Sequence, residues 1–268
     1  MPATILIRGA GDLASGVAVR LHRSGLNVVM TELATPFAVR RSVSFSEAIY
    51  EGQVQVEGIA GSRVKDPADT LKIRNVLAAH NIAVLLDPDC MAAAALHPLV
   101  IVDGRMTKRA PEPFRHSAAM YIGLGPGFLA PTNCHAVIET QRGHRMGRVI
   151  FNGAASDDNH QPDGDPRRVL RAPKDGLLES DSQIGQHFEP KQVVATVAGT
   201  PILAPFAGIL RGLIRPGVRV VRDMKIGDVD ARDDPELCRL VSDKSLAVGG
   251  GVLEAMLSRA EVQAKLWA

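Results

Sequence analysis

From Ile5 to Ala14 the chain reads Ile-Leu-Ile-Arg-Gly-Ala-Gly-Asp-Leu-Ala, an apolar run closed by a glycine turn and followed at once by a helical pattern. The spacing is G-x-G-x-x-A, which places a strand-to-helix turn against a nucleotide pyrophosphate. Gly9 permits the tight turn, Gly11 lets a phosphate approach the backbone, and Ala14 lets the helix lie close on its strand. Ala10, Asp12 and Leu13 complete the loop and first helical turn, whose free N–H groups and positive dipole end face an anion. A second apolar strand, Val28 to Thr31, ends in Glu32, 23 residues after Gly9 (32 − 9). That is close to the spacing of about 20 expected for an acid that accepts from a ribose hydroxyl. A carboxylate there repels a 2′-phosphate, so NAD or FAD is the expected ligand in preference to NADP. The same residues also suit an ordinary strand–helix turn with no ligand.

Other polar residues fall at the ends of apolar runs. Asp103 closes the run Leu99 to Val102, and Lys108 follows five residues later. With Asp87 and Asp89 at the end of a similar run, they could bind a metal, a sugar hydroxyl or a phosphate. Asp87 closes a similar run, where Asp87-Pro88 also reads as a turn and helix cap. Arg40 and Arg41 follow the second strand and are candidates for an anionic group. Gly125 and Gly127 lie in a second glycine loop, Gly-Leu-Gly-Pro-Gly-Phe, in which Pro126 removes one donor. Glu139, Arg142 and His144 form a polar cluster after another strand, and a histidine there suits acid–base work near neutral pH. Asp103, Lys108, Glu139 and His144 are therefore the catalytic candidates. No metal site is expected, because Cys134-His135 with His144 matches no standard ligand spacing. No nucleophile elbow, Walker loop or catalytic triad is recognisable.

These positions need a scaffold of alternating strands and helices. The pattern across residues 1–152 predicts a Rossmann-like domain with a parallel sheet. A helix within 240–268 is expected to return to it. Residues 165–232 contain an internal repeat: Ala172-Pro173-Lys174-Asp175-Gly176 recurs as Ala204-Pro205-Phe206-Ala207-Gly208 at an offset of 32. Two halves of short strands suggest a β-sandwich, and this segment resembles the biotinyl/lipoyl carrier domain, a barrel-sandwich hybrid. The expected fold class is thus α/β, a Rossmann-like parallel sheet domain plus a small all-β barrel-sandwich hybrid. The hairpin that carries the modified lysine in carrier domains is here Ala198-Gly199-Thr200-Pro201, without lysine. Met224-Lys225-Ile226 maps by the repeat into a strand, so neither biotin nor lipoate is expected.

A chain of 268 residues is long enough for two cored domains, and its net charge of +2 is too small to suggest nucleic acid. No apolar run reaches the length of a membrane span, and the start does not read as a signal peptide. Three well-separated cysteines predict no disulfide frame. A cytoplasmic protein is expected.

Several separated motifs resemble one family. They are Ile7 to Ala14, Arg40-Arg41, Gly123 to Phe128, Val137 to Thr140 with Arg142-Gly143-His144, Arg171-Ala172-Pro173, Lys225 to Asp230 and Ser242-Asp243-Lys244. The family is the YqeB-like proteins of the selenium-dependent molybdenum hydroxylase system, whose N-terminal half is similar to the XdhC/CoxI maturation factors. One departure is Ala231, where the family favours proline. The resemblance implies an accessory factor that binds a dinucleotide or the molybdenum cofactor and serves a molybdenum hydroxylase client. A free-standing NAD(P)-dependent oxidoreductase and a non-catalytic nucleotide-sensing module are the alternatives.

Overall fold

The computed structural model describes residues 2–107, 109–112, 117–157 and 164–268. Contacts divide the chain into two compact units, Met1–Pro36 with Phe45–Asn159 and Val241–Ala268, and Phe37–Ser44 with His160–Leu240.

The first unit is built on a sheet. Its strands are β1 (Thr4–Arg8), β2 (Asn27–Glu32), β3 (Gln53–Val56), β4 (Ile59–Val64), β5 (Ile82–Leu86), β6 (Val100–Asp103) and β7 (Met120–Leu124). A small pair of β8 (Leu129–Ala130) and β11 (Gly153–Ala154) stands apart, while β9 (Ala136–Ile138) and β10 (Val149–Ile150) complete the large sheet. The strand order is β10-β9-β7-β6-β1-β2-β5-β4-β3. The central strands are runs of Val, Ile and Leu buried throughout, as sheets covered on both faces require. From β9 to β4 every neighbour is parallel, whereas β10 and β3 pair antiparallel at the two edges. The expected Rossmann-like parallel sheet is therefore corrected to a large mixed sheet. The hairpin β3–β4 turns at Glu57 and Gly58, both at positive φ, the geometry that matches strand twist in a two-residue turn. The strand β4, Ile-Ala-Gly-Ser-Arg-Val, carries no hydrophobic alternation that would mark it in advance.

The helices are α1 (Asp12–Arg23), α2 (Ala48–Glu51), α3 (Thr70–Ala78), α4 (Ala93–Leu96), α5 (Asp243–Leu257) and α6 (Ala260–Gln263). Asp69, whose carboxylate accepts from Lys72 N–H, caps α3, while Asp66 accepts from Ala68 N–H in the turn before it. The chain leaves β1 through α1 to β2 on one side and later places β6 on the other. The order reverses between β1 and β6, the switch point at which open sheets bind ligands.

Glycines let α5 pack tightly. A Cβ at Gly16 would collide with the Ser245 side chain, and one at Gly251 with the Gly147 carbonyl oxygen, whereas Gly250 faces open space. Gly251→Ala is accordingly expected to destabilise the fold by about 1–3 kcal/mol through overpacking. Gly250→Ala is expected to stabilise it by up to about 1 kcal/mol through helix propensity. Urea midpoints of the two variants check this; equal shifts would refute the packing argument.

The second unit holds β12 (Val169–Arg171), β13 (Gly176–Glu179), β14 (His187–Phe188), β15 (Val193–Val197), β16 (Thr200–Leu203), β17 (Gly208–Leu213), β18 (Arg219–Val220) and β19 (Lys225–Asp230). They form two four-stranded sheets, β12-β19-β17-β14 and β16-β15-β13-β18, around one apolar core that includes Leu178, Val197, Leu210, Leu213 and Ile226. The expectation of a separate barrel-sandwich hybrid is corrected. This unit is not a free-standing segment, because Phe37–Ser44 from the early chain belong to it and Val39 packs on its core.

Candidate functional site

The glycine loop is held from three sides. Gly9 adopts φ +92°, a left-handed conformation that suits glycine, and its N–H donates to the Thr31 carbonyl at 2.8 Å. Ala10 N–H donates to Glu32 Oε2 at 2.8 Å. The Ala10 carbonyl accepts from the Ser15 hydroxyl at 3.0 Å and from Ser46 N–H at 2.9 Å. The loop is thus fixed before any ligand arrives. Gly11 caps α1 without a side-chain hydrogen bond, Asp12 stands in the first turn, and the Cβ position of Gly11 meets nothing within 4 Å. Leu13 and Ala14 face inward, and Ala14 lies beside Gly104, where an added Cβ would stand 3.0 Å from it.

Glu32 sits at the end of β2. Its Oε1 accepts from Leu33 N–H at 2.7 Å, so each oxygen holds one backbone donor and keeps capacity for another. Burial pushes its carboxyl above the ordinary glutamate range, against the pull of the Leu33 and Ala10 N–H groups.

Asp103 ends β6, in register with Arg8 of β1, and is 1% exposed. Its Oδ2 accepts from Arg8 Nη1 at 3.2 Å, Tyr121 OH at 2.8 Å and Arg105 Nη2 at 2.8 Å. Its Oδ1 accepts from Arg105 Nε at 3.0 Å and Arg105 N–H at 3.3 Å. Burial alone would raise the carboxyl, but the Arg105 hydrogen bonds and charge, with Arg8 and Tyr121, outweigh it and hold Asp103 below the ordinary aspartate range. Burial and the adjacent Asp103 push the Tyr121 phenol well up, so it serves as a donor. Arg8, Arg105 and Tyr121 were not picked out by sequence reasoning. The available signal was an arginine inside an apolar strand and another two residues after Asp103.

Lys108 is outside the described residues. Gly125 and Gly127 form the turn after β7 at φ +72° and +102°; a Cβ at Gly125 would stand 2.5 Å from Thr140 Oγ1, and one at Gly127 would strike the Arg109 carbonyl. Close packing therefore accounts for both glycines. Glu139 follows β9, and its oxygens accept from Gln141 N–H at 2.7 Å and Ser156 N–H at 2.8 Å. Burial opposes ionisation there, yet those backbone donors win and lower its carboxyl. His144 is exposed on the turn between β9 and β10, beside a cleft of about 500 Å³ that Arg145 and Arg148 also line. Arg142 makes a two-pronged ion pair with Asp243 of α5, at 2.7 and 2.8 Å. Arg40 and Arg41 belong to the second unit. Arg40 is 6% exposed and donates to the Leu237 and Leu240 carbonyls, and Arg41 Nε donates to the Leu213 carbonyl. Asp87 caps the turn before α4, accepting from Met91 and Ala92 N–H. Burial pushes the Cys90 thiol up to about 12. Among the described residues, no group of three or more His, Cys, Asp or Glu is placed to hold a metal.

Comparison with known proteins adds little that is specific. The chain is 40% identical over 257 residues to the uncharacterised protein YqeB of Escherichia coli K12, covering 94% of this chain and 47% of that protein. The chain thus spans about half the length of the curated relative it matches. No family model matches. Among solved structures, it is similar to an aspartoacylase family protein from Mesorhizobium loti (10% identity, TM-score 0.27, 85% of this chain and 84% of that one). It is also similar to a succinylglutamate desuccinylase/aspartoacylase from Rhodobacter sphaeroides (15% identity, TM-score 0.27, 85% of each chain). Likenesses this slight bring no activity with them. The curated relative is itself uncharacterised and is not named as an XdhC-like protein or as part of a molybdenum hydroxylase system. The assignment to the selenium-dependent molybdenum hydroxylase system is corrected on that ground. The maturation-factor role and its oxidoreductase and sensing alternatives are set aside with it. No helix among the described residues is long and apolar enough to cross a membrane.

Proposed function

We propose that the first unit binds an adenine nucleotide of the NAD or FAD class at the β1–β6 switch point. The Gly9–Ala14 loop and the α1 N-terminus receive the phosphates, and Glu32 accepts from a ribose hydroxyl. The observation that carries this reading is the preset loop: Ala10 is pinned through both its N–H and its carbonyl, while the Gly11 Cβ direction stays open. Order in the apo state matters because a loop already fixed loses little entropy on binding. The helix end supplies N–H donors and a positive dipole without a competing cap. A cytoplasmic setting belongs to the same proposal, supported by the free, buried state of Cys90, Cys134 and Cys238.

Glu32 predicts a preference. Its carboxylate faces a ribose 2′-hydroxyl favourably and a 2′-phosphate unfavourably. NAD is expected to bind at least about tenfold more tightly than NADP, a difference of ~1.4 kcal/mol, and Glu32→Gln should shrink that gap. Calorimetric titration with NAD, NADP, FAD and ATP tests the proposal. Absence of binding by all four refutes it, and an equal affinity for NAD and NADP refutes the role given to Glu32.

A further inference from the structure

Where β1 and β6 end, Asp103 holds two guanidiniums, those of Arg8 and Arg105, and the two are not equivalent. The Arg8 side chain is 7% exposed and the Asp103 side chain 2%, whereas that of Arg105 is 24% exposed. Arg105 is the solvent-facing member of a buried ion-pair network. It also stands beside the glycine loop: a Cβ at Gly9 would lie 3.4 Å from the Arg105 backbone, and Gly104 N–H donates to the Arg8 carbonyl at 2.9 Å. The loop after β6 therefore runs against the loop after β1.

Asp103 does not depend on the Arg105 guanidinium alone. Without it, the carboxylate would still accept from Arg8 Nη1, Tyr121 OH and the Arg105 backbone N–H. The outer partner of Arg105, Glu112, is 83% exposed and 3.9 Å away, so it holds the guanidinium weakly. Of the two guanidiniums on Asp103, that of Arg105 is the more exposed, and it can leave while the carboxylate keeps Arg8, Tyr121 and a backbone N–H.

We propose that Arg105 is the phosphate-reading cation of this site: its guanidinium transfers from Asp103 to a phosphate lying on the Gly9–Gly11 loop, and it sets a preference for phosphorylated over unphosphorylated nucleosides. This rests on the nucleotide-binding reading above. A planar fork suits phosphate as it suits the carboxylate it leaves, so Lys in its place keeps the charge and loses the fork.

The test is calorimetric titration of the full chain with ADP and with adenosine, for the wild type, Arg105→Gln and Arg105→Lys. Arg105→Gln is expected to weaken ADP about 10- to 100-fold and to leave adenosine unchanged, with Arg105→Lys in between. Unliganded Arg105→Gln should lose less stability than Asp103→Ala, because Asp103 keeps Arg8, Tyr121 and a backbone N–H. Unchanged ADP affinity in Arg105→Gln, or an equal loss for adenosine, overturns the role of Arg105 while leaving nucleotide binding in place. A wild type that takes up no ADP overturns this inference, and one that takes up none of NAD, NADP, FAD and ATP overturns the nucleotide reading itself.

Discussion

Asp103→Ala should cost the native state about 3–5 kcal/mol, the loss expected when one partner of a buried ion pair is removed. Arg8 is 5% exposed, and the substitution leaves its guanidinium in the protein interior without the carboxylate that faces it across the β1–β6 register. Against a typical total stability of roughly 5–15 kcal/mol, that is a large fraction, and at the low end of the range it unfolds much of the protein. Chemical denaturation measures the cost, and Asp103→Asn, which keeps the shape, separates charge from packing. The pH dependence has a definite sign. The native carboxyl titrates below the ordinary value of 3.8, so its stabilisation is fully present above that pH and is lost as pH falls through the lowered native value. Asp103→Asn should therefore show a shallower fall in melting temperature below about pH 4 than the wild type. The limb stays sloped, because Glu139 is also lowered and Asp230, bonded to Arg232, is held down to about 2. Identical acid limbs in wild type and Asp103→Asn would show that this network contributes nothing.

What the sequence made legible follows from local physics. The turn at Gly9, the helix from Asp12 and the strand ending in Glu32 are set by neighbours in the chain, so spacing alone revealed them. The runs Ile82 to Leu86 and Val100 to Asp103 are strands because continuous β-branched and aliphatic stretches suit a buried sheet. The network around Asp103 was not legible, since Arg8, Asp103 and Tyr121 are separated by 95 and 113 residues from the first and meet only through strand register. The partners of Arg40 and Arg41 were not legible for the same reason. They follow β2 in the chain, and they donate to carbonyls of residues 213, 237 and 240, which spacing alone does not reveal. The antiparallel edge at β3–β4 was hidden because β4 lacks alternation.

The second large effect concerns Gly11. Its Cβ direction is open, so valine is accommodated by the apo protein, but the side chain would fill the space a phosphate needs. Gly11→Val is expected to fold and to lose nucleotide binding by at least about 100-fold, ~2.7 kcal/mol. Backbone and dipole contacts at a helix N-terminus act only at close range, and isopropyl bulk between loop and ligand removes several at once. Its melting temperature without ligand should lie near that of the wild type, which distinguishes a blocked site from a damaged fold.

The most direct measurement is titration of wild type and Gly11→Val with the tightest of NAD, FAD and ATP, followed by thermal unfolding at a hundred times the wild-type dissociation constant. The wild type should saturate with one ligand per chain and gain ~2.7 kcal/mol of stability, while Gly11→Val shows neither heat of binding nor stabilisation. Equal binding and equal stabilisation in the two proteins, or none in the wild type, would contradict a nucleotide site at Gly9–Ala14.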